Sequence, residues 1–334
     1  MSQEHLLVRA ARGEVVERVP VWAMRQAGRW DPEFMRVRAG RPFFEFSLDS
    51  DASAEATLCP RRFGVDGIIL FYDIVTLPYA MGLPFELKPL QGPVPDRPIR
   101  TLADLERLDP DPDPSSYQHI IDLIRKVKRS LNGELPVLFF AGAPFTVATY
   151  CIGTGKHMDQ TRRFAADQPE VWKGLLDRLT GATVSFLNAI AAEGGAMYQL
   201  FDSWAGELTE AEYDQWAQPY HKEILAGANR VPRALFVKEC PFTDKLCTSG
   251  ADIVSIGSKN SLSGLQKQYP KLVFQGNIDE EILRDKTPED VREATLACLR
   301  EGGGHRHILN LNHGMDRATP VENFRTFVDT AKGM

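Results

Sequence analysis

The chain has 334 residues, of which 43% are hydrophobic and 25% charged, and its formal net charge is −6. A chain of this size and composition can bury a sizeable core. Its acidic balance disfavours a general nucleic-acid binder, which carries a basic face. The five cysteines are scattered without a C-x-x-C pair. That pattern disfavours a disulfide framework or a zinc ribbon and is typical of a reduced, cytoplasmic protein.

The sequence predicts neither a signal peptide nor a membrane span. Residues 1–18 are charged and lack an apolar signal region. No apolar run reaches the length of about 20 residues that a membrane-spanning helix needs. We therefore expect no membrane partner.

Short apolar runs recur along the chain and are bounded by turn residues. Continuous apolar runs, rather than strictly alternating ones, are typical of strands buried on both faces, as in a parallel sheet. The predicted strands are residues 19–24, 66–71, 136–141, 195–201, 233–238, 252–256, 271–275 and 307–311, with 19–24 the weakest.

Segments with helical spacing of apolar residues alternate with these runs. They are residues 53–63, 114–131, 160–193, 209–231, 261–269, 287–301 and 320–332. Thr287 before Pro288 is typical of a helix start, and Thr319 before Pro320 repeats the pattern. Residues 85–90 are predicted to form a small hairpin strand in an insertion.

Strand and helix alternate about eight times, which predicts an α/β fold of the (β/α)8 TIM-barrel type. We expect a single domain over residues 1–334. A doubly wound open sheet is the alternative, but no G-x-G-x-x-G motif follows an early strand.

Two arginines near the start, Arg25 and Arg29, flank a Gln-Ala-Gly tripeptide. Gly28 allows backbone conformations that other residues resist and lets a ligand approach closely. Paired guanidiniums bind carboxylates or phosphates in a bidentate manner. The segment therefore predicts a local anion site in an acidic chain. The competing interpretation is a loop with ordinary surface arginines.

Polar residues near the ends of the other predicted strands are candidates for a site, because barrel active sites lie on the loops after the strands. Asp73 is the only charge in an apolar passage, although a helix cap or an ion pair would also explain it. Tyr150 and His313 have structural explanations too. Ser203 lacks a G-x-S-x-G elbow, which disfavours a hydrolase.

A zinc site is only weakly indicated. Cys240 and Cys247 are the nearest approach to a ligand pair, and His305 and His307 lie far along the chain. The sequence therefore predicts no metal.

Six segments in this order resemble the motifs of the uroporphyrinogen decarboxylase family. The resemblance runs from about Val19 to the C-terminus, and its first motif is highly specific. The segments are RQAGR at 25–29, FYDI at 71–74, GAPFT at 142–146 with Tyr150, FDS at 201–203 with Ala205-Gly206, QGNID at 275–279, and NLNHG at 310–314.

The resemblance implies a distorted TIM barrel with a deep cleft at the carboxyl ends of its strands. It also implies a cofactor-independent reaction that converts the four acetate side chains of uroporphyrinogen III to methyl groups with loss of CO2. Members of the family typically form homodimers and work in the cytosol or plastid.

The resemblance also implies roles for individual residues. Asp73 would accept hydrogen bonds from the pyrrole N–H groups and act in catalysis together with Arg25 and Arg29. The two arginines would bind substrate carboxylates within the signature that also contains Gln26, Ala27 and Gly28. Hydrogen bonds to acetate and propionate groups would come from Tyr150, Ser203 and His313.

The sequence departs from the family pattern at three places. Trp30-Asp31 stands where Tyr-Leu is common, residues 257–259 replace Leu-Asp-Trp, and Asn312 replaces a glycine. Two other functions remain to be weighed. Relatives of this barrel act as corrinoid-dependent methyltransferases with a zinc-thiolate site, but the chain lacks a His-x-Cys pair. A non-catalytic tetrapyrrole carrier would use the same cleft.

Overall fold

A computed structural model describes residues 4–88 and 92–333. Seven of the strands form one parallel sheet, and the other two form a separate antiparallel hairpin. The strands are β1 Ile68–Ile69, β2 Phe85–Lys88, β3 Gly92–Pro95, β4 Val137–Gly142, β5 Met197–Asp202, β6 Arg233–Val237, β7 Ile253–Ser255, β8 Val273–Gln275 and β9 His307–Ile308.

The sheet runs in the order β1-β4-β5-β6-β7-β8-β9, with each strand beside the next sheet strand of the sequence. Every pairing in it is parallel. The carboxyl ends of all seven strands therefore lie along one edge. Most of these strand residues are buried, as the continuous apolar runs predict.

The first predicted strand is represented by a single bridge at Val21. Val21 pairs in parallel with Leu309, just beyond β9. On the other side, the Val21 carbonyl accepts a hydrogen bond from the backbone N–H of Asp66, just before β1, at 2.8 Å. The segment thus lies between the last strand of the sheet and the first, so the sheet is curled.

Helices cover the sheet and join its strands. The α-helices are α1 Leu6–Ala11, α2 Pro32–Arg38, α3 Phe43–Leu48, α4 Ser50–Leu58, α5 Thr76–Ala80, α6 Leu102–Glu106, α7 Gln118–Leu131, α8 Pro144–Cys151, α9 Met158–Asp167, α10 Pro169–Ala192, α11 Glu210–Trp216, α12 Gln218–Gly227, α13 Thr243–Cys247, α14 Leu262–Gln268, α15 Glu280–Asp285, α16 Pro288–Glu301 and α17 Val321–Lys332; short 3-10 helices are Cys59–Phe63, Pro114–Tyr117 and Ala205–Glu207.

Two long helical segments predicted from the sequence are each divided in the structure. The segment 160–193 divides at Gln168, whose ψ of 57° is not helical, and Pro169 begins α10. Proline disfavours a helical conformation at the residue before it and is well tolerated at the first helical position. The segment 209–231 divides at Ala217, whose φ of −125° is not helical, and the following α12 has Pro219 as its second residue and ends at Gly227.

The two predicted helix starts have different outcomes. Thr287 forms a full capping box with Asp290, which confirms that prediction. Thr319 does not cap α17, which begins at Val321 with Pro320 at the N-cap and no side-chain cap bond. The spacing of Thr and Pro alone was therefore insufficient, because the second proline lies outside the helix.

The predicted hairpin strand is present as β2, which pairs with β3. Residues 89 and 90 of that prediction lie outside the described residues. In the parts of the chain that are described, no helix combines the length and the apolar character that crossing a bilayer requires.

One hydrophobic cluster contains buried residues from Leu7 to Ala331, and therefore joins both ends of the chain. A smaller cluster is built around Phe34, Phe46 and Phe71. It packs α2, α3 and α4 beside the loop that follows β1.

Asp66 connects the Val21 segment to β1, so it should be important for stability. Its carboxylate accepts hydrogen bonds from the Val21 N–H at 2.8 Å and from both terminal nitrogens of Arg18. Asp66→Ala leaves a buried N–H without a partner, and we expect a loss of about 2–3 kcal/mol in urea unfolding. Glu134→Ala, which removes an exposed pair with Arg61, should cost no more than about 1 kcal/mol. Equal losses in the two variants would contradict this interpretation.

Candidate active site

The candidate residues lie on segments that follow strands at the carboxyl edge of the sheet. Asp73 follows β1, Tyr150 is on α8 after β4, and Ser203 directly follows β5. His313 follows β9, and Arg25 follows the Val21 bridge. Because the strands are parallel, these segments emerge on the same side of the sheet.

The backbone at Arg25 has an uncommon conformation that its neighbours stabilise. Its φ of 60° lies in the left-handed region, which most residues avoid. The indole N–H of Trp30 donates a hydrogen bond to the Arg25 carbonyl at 3.3 Å. A Cβ atom on Gly28 would lie 2.9 Å from that same carbonyl oxygen. The glycine is therefore required for the close turn that presents Arg25.

The side chain of Arg25 lies against the C-terminal segment of the chain. A Cβ atom on Gly314 would overlap the Cδ atom of Arg25. The backbone N–H of Met315 also donates to the carbonyl of Met24 at 3.0 Å. The arginine segment and the segment after His313 therefore form one local structure.

The guanidiniums of Arg25 and Arg29 make no hydrogen bond and no salt bridge with any of the described residues, and both side chains are exposed. Burial by the surrounding protein nevertheless lowers the pKa of Arg25, an effect that the nearby charge of Asp73 opposes.

Asp73 is half-buried and uses one side of its carboxylate locally. Its Oδ1 atom accepts a hydrogen bond from the backbone N–H of Val75 at 2.9 Å. Its Oδ2 atom has no protein donor among the described residues. Burial raises the pKa of Asp73, while the Val75 hydrogen bond and the charge of Arg25 oppose that change.

The residue before Asp73 anchors this loop to the neighbouring strand. Tyr72 is buried, its ring stacks on Phe140 with centroids 4.1 Å apart, and its hydroxyl donates to the Phe140 carbonyl. The Phe140 N–H returns a hydrogen bond to that hydroxyl at 2.8 Å. The direction of the Asp73 loop is therefore set by β4.

Tyr150 and Ser203 are neighbours of Trp204. The indole N–H of Trp204 donates to the Tyr150 hydroxyl oxygen at 3.3 Å. Burial raises the pKa of Tyr150, and the Trp204 hydrogen bond opposes the rise. Ser203 is half-buried beside this pair.

A buried polar chain lies behind Ser203. Asp202 accepts hydrogen bonds from the hydroxyl of Thr146 at 2.5 Å and contacts the Nε2 atom of His221 at 2.7 Å. The Nδ1 atom of His221 lies 3.3 Å from the Tyr213 hydroxyl oxygen. All four residues are buried, so this chain is part of the support of the site and not of its surface.

His313 is half-buried beside Phe236, with ring centroids 6.1 Å apart. Burial, with the positive charges of Arg25 and Lys238, lowers the pKa of His313 to about 3. The imidazole is therefore neutral near pH 7 and can donate one hydrogen bond and accept another.

Gln26 and Ala27, which belong to the same sequence signature, point into the protein. Gln26 is fully buried, and its amide bonds the Gly67 carbonyl and the Ala23 N–H. Ala27 belongs to the smaller hydrophobic cluster. These buried contacts hold the short segment between Arg25 and Arg29 in place.

Sequence reasoning missed three residues near the site: Trp204, Trp30 and Lys238. Trp204 and Lys238 lie at the ends of β5 and β6, so the rule used for Asp73 and Ser203 applied to them as well. Trp30 was recognised only as a departure from the family pattern. Among residues 4–88 and 92–333, no three His, Cys, Asp or Glu side chains lie close enough together to hold a metal ion.

A family model described as uroporphyrinogen decarboxylase (URO-D) matches residues 2–334. The chain belongs to this family. Two proteins named uroporphyrinogen decarboxylase agree with that assignment. The one from Alkalilimnicola ehrlichii is 37% identical over 97% of this chain and 92% of its own length. The one from a Nocardioides species is 38% identical over 96% of this chain and 94% of its own length.

Solved structures of low sequence identity share the fold. A methyltransferase from Methanosarcina mazei superposes with a TM-score of 0.78 at 17% identity, with 99% of each chain covered. A B12-independent methionine synthase from a Shewanella species gives a TM-score of 0.56 at 13% identity, with 85% of each chain covered. At these identities the likeness concerns the fold alone.

The departures from the uroporphyrinogen decarboxylase pattern have structural partners in this chain. Asp31 is buried, pairs with Arg62 and caps α2, so Trp30-Asp31 fixes the turn after Arg25. Asn312 accepts from the N–H of Glu280 at 2.9 Å and donates to Glu239 at 2.9 Å. A Cβ atom at Gly257 would contact that same Glu239 carboxylate, 2.5 Å from Oε2.

The low pKa of His313 should make folding sensitive to acid. The unfolded histidine has a pKa of about 6.5, so between that value and the folded value of about 3 the unfolded chain binds more protons. The free energy of unfolding should therefore fall as the pH drops through this window, at up to about 1.4 kcal/mol per pH unit from one group. His313→Gln should flatten the decline.

The protonation state can be measured directly by NMR of the imidazole. In native protein the His313 resonances should not shift between pH 5 and pH 8 (about two units or more above the folded pKa), whereas in concentrated urea they should titrate near about 6.5. A native titration above pH 5 would contradict the burial effect.

Proposed function

We propose that this chain catalyses the decarboxylation of the four acetate side chains of uroporphyrinogen III, which yields coproporphyrinogen III and CO2. The observation that carries the proposal is the arrangement around Arg25. Two guanidiniums without partners and a carboxylate with one open oxygen, Asp73, lie at the same edge of the sheet. A macrocycle with eight carboxylates and a ring of N–H donors matches both features.

The proposal includes a single domain over residues 1–334 that forms a distorted (β/α)8 barrel with a cleft at the strand ends. The parallel bridge of Val21 with Leu309 on one side, and the hydrogen bond from the Asp66 N–H to the Val21 carbonyl on the other, support closure of the sheet. The hydrophobic cluster that joins Leu7 to Ala331 supports a single domain. The burial that lowers the pKa of Arg25, although its side chain is exposed, supports the cleft.

Asp73 would stabilise the positive charge that develops on the substrate. Loss of CO2 leaves an electron pair, and protonation of the pyrrole at a ring carbon provides a cationic electron sink for it. A fixed carboxylate below the pyrrole N–H groups favours that cation. The apolar surroundings that raise the pKa of Asp73 also strengthen its electrostatic effect. Arg25 and the substrate N–H groups together favour the ionised form of the carboxylate.

Arg25 and Arg29 would bind acetate and propionate groups. A guanidinium binds a carboxylate with two parallel hydrogen bonds. Neither arginine is engaged in an ion pair with a carboxylate of the described residues, so none has to be broken first. Arg25 can also organise the proton that reaches the substrate, and burial lowers its pKa in the direction that this role needs.

The remaining candidate contacts are Tyr150, Ser203 and His313, which would hydrogen-bond substrate carboxylates. Gly28 would let the substrate approach the backbone closely. Gln26 and Ala27 would act indirectly, by holding Arg25 and Arg29 in position. We further propose that the reaction needs no metal or organic cofactor, and that the enzyme is a cytoplasmic homodimer.

Replacing Asp73 should remove most of the activity. Purified protein should convert uroporphyrinogen to coproporphyrinogen anaerobically without added cofactor, with products identified by mass. Asp73→Asn and Asp73→Ala should each lower kcat at least about tenfold, because they remove the charge that stabilises the cation. The matched control is Asp159→Asn, whose carboxylate is 99% exposed. Full activity in Asp73→Ala would exclude this mechanism.

The same assay distinguishes the competing functions. A non-catalytic carrier would bind the macrocycle tightly and give no product. A zinc-dependent enzyme would contain stoichiometric zinc by elemental analysis and lose activity on chelation. Either result would replace the proposed function.

Arg29 should contribute mainly to substrate binding, since its side chain is exposed at the rim of the site. Arg29→Gln should raise KM about tenfold, the loss expected for a charged hydrogen bond of about 1.5 kcal/mol. Arg29→Lys should recover only part of that loss because an ammonium cannot bind in a bidentate manner. Arg129→Gln, at an exposed position on α7, serves as the control and should leave KM unchanged. A fall in kcat alone would assign Arg29 to the chemical step instead.

A further inference from the structure

The hydrogen bond between Trp204 and Tyr150 has only one possible direction. The indole Nε1–H of tryptophan is a donor and never an acceptor. The Tyr150 oxygen, 3.3 Å away, must therefore accept this bond. The phenol O–H of Tyr150 is left to point elsewhere, and it donates to none of the described residues.

Trp204 is held at its backbone as well as at its ring. Its N–H donates to the Thr146 hydroxyl oxygen at 3.0 Å. That hydroxyl has its own hydrogen engaged, because it donates to Asp202 at 2.5 Å. Thr146 thus accepts from Trp204 and donates to Asp202, which fixes the loop after β5 to the start of α8.

Asp202 is in turn fixed by residues from the next two helices. Its second oxygen lies 2.7 Å from the Nε2 atom of His221 on α12, and His221 contacts Tyr213 on α11. These buried groups all have partners, so they form a rigid support for Trp204. The backbone from which the indole extends is therefore held in place beside Tyr150.

Tyr150 lies near charged groups of the candidate site. Its hydroxyl lies near Asp73 and Arg25, whose charges both act on it. The ring is half-buried, and a ligand can reach it. A phenol whose oxygen already accepts a hydrogen bond keeps its proton free to donate, and the matching ligand group is an anionic oxygen.

We propose that Trp204 is a positioning residue that commits Tyr150 to donate a hydrogen bond to a substrate carboxylate. The donation from the indole also withdraws electron density from the phenol oxygen, which strengthens the phenol as a donor. This inference rests on the proposed function, because the carboxylate belongs to the proposed substrate.

The test is a double-mutant cycle of Trp204→Phe and Tyr150→Phe. Trp204→Phe keeps an aromatic ring but removes the N–H donor. It should lower kcat/KM about threefold to tenfold, the range expected for one hydrogen bond. In the Tyr150→Phe background the same substitution should have less than about a twofold effect, because the group through which it acts is gone.

Two controls separate this role from a general loss of structure. Trp216→Phe makes the same change at a half-buried indole that packs on Phe145 and Trp172, and it should leave kcat/KM unchanged. The cycle is also measured as the affinity for uroporphyrin, the oxidised macrocycle, by fluorescence titration. If the wild type binds uroporphyrin but shows no turnover, the proposed function fails. The double-mutant cycle measured as uroporphyrin affinity still tests the positioning role in that case.

The hydrogen bond itself is tested without any ligand. In 15N-labelled protein the Trp204 indole resonance is the one that Trp204→Phe removes. Tyr150→Phe should move that resonance upfield and leave the other indoles in place. An unmoved resonance, or an equal effect of Trp204→Phe in the presence and absence of the Tyr150 hydroxyl, would overturn the proposal.

Discussion

The site depends on the contact between the first and last segments of the chain. Val21 pairs with Leu309, and the N–H of Met24 donates to the side chain of Asn310 at 3.1 Å. These bonds deliver Arg25 to the carboxyl edge of the sheet, against Gly314. Without them, an exposed loop would carry the arginines, as the competing interpretation of the sequence supposed. With them, Arg25 lies near Asp73 and His313.

The cationic side of the site is built from charges that the protein leaves without partners. Elsewhere on the surface most arginines pair with carboxylates, as Arg233 does with Asp252. At the site, backbone and aromatic contacts fix the Arg25 segment instead, through the Trp30 indole and the Gly28 turn. This arrangement leaves the charge available to a ligand, at the cost of a less favourable charged state for Arg25.

The alternation of apolar runs predicted the parallel sheet well, because strands buried on both faces need apolar residues at every position. It failed at the first strand, where only Val21 pairs, and in the long helices, where proline and local backbone geometry introduced breaks. Strand ends identified Asp73, Ser203 and His313 as candidates. Their mutual orientation could not be predicted, since contacts such as Trp204 to Tyr150 join residues 54 positions apart.

The absent side chain at Gly314 has a consequence for synthesis of the protein. The ribosome makes Arg25 long before it makes Gly314, the backbone against which the Arg25 side chain packs. A nascent chain therefore carries this arginine without its packing partner until the segment that contains Gly314 has been made. The local structure around Arg25 forms only after that segment has folded back beside residues from the other end of the sheet.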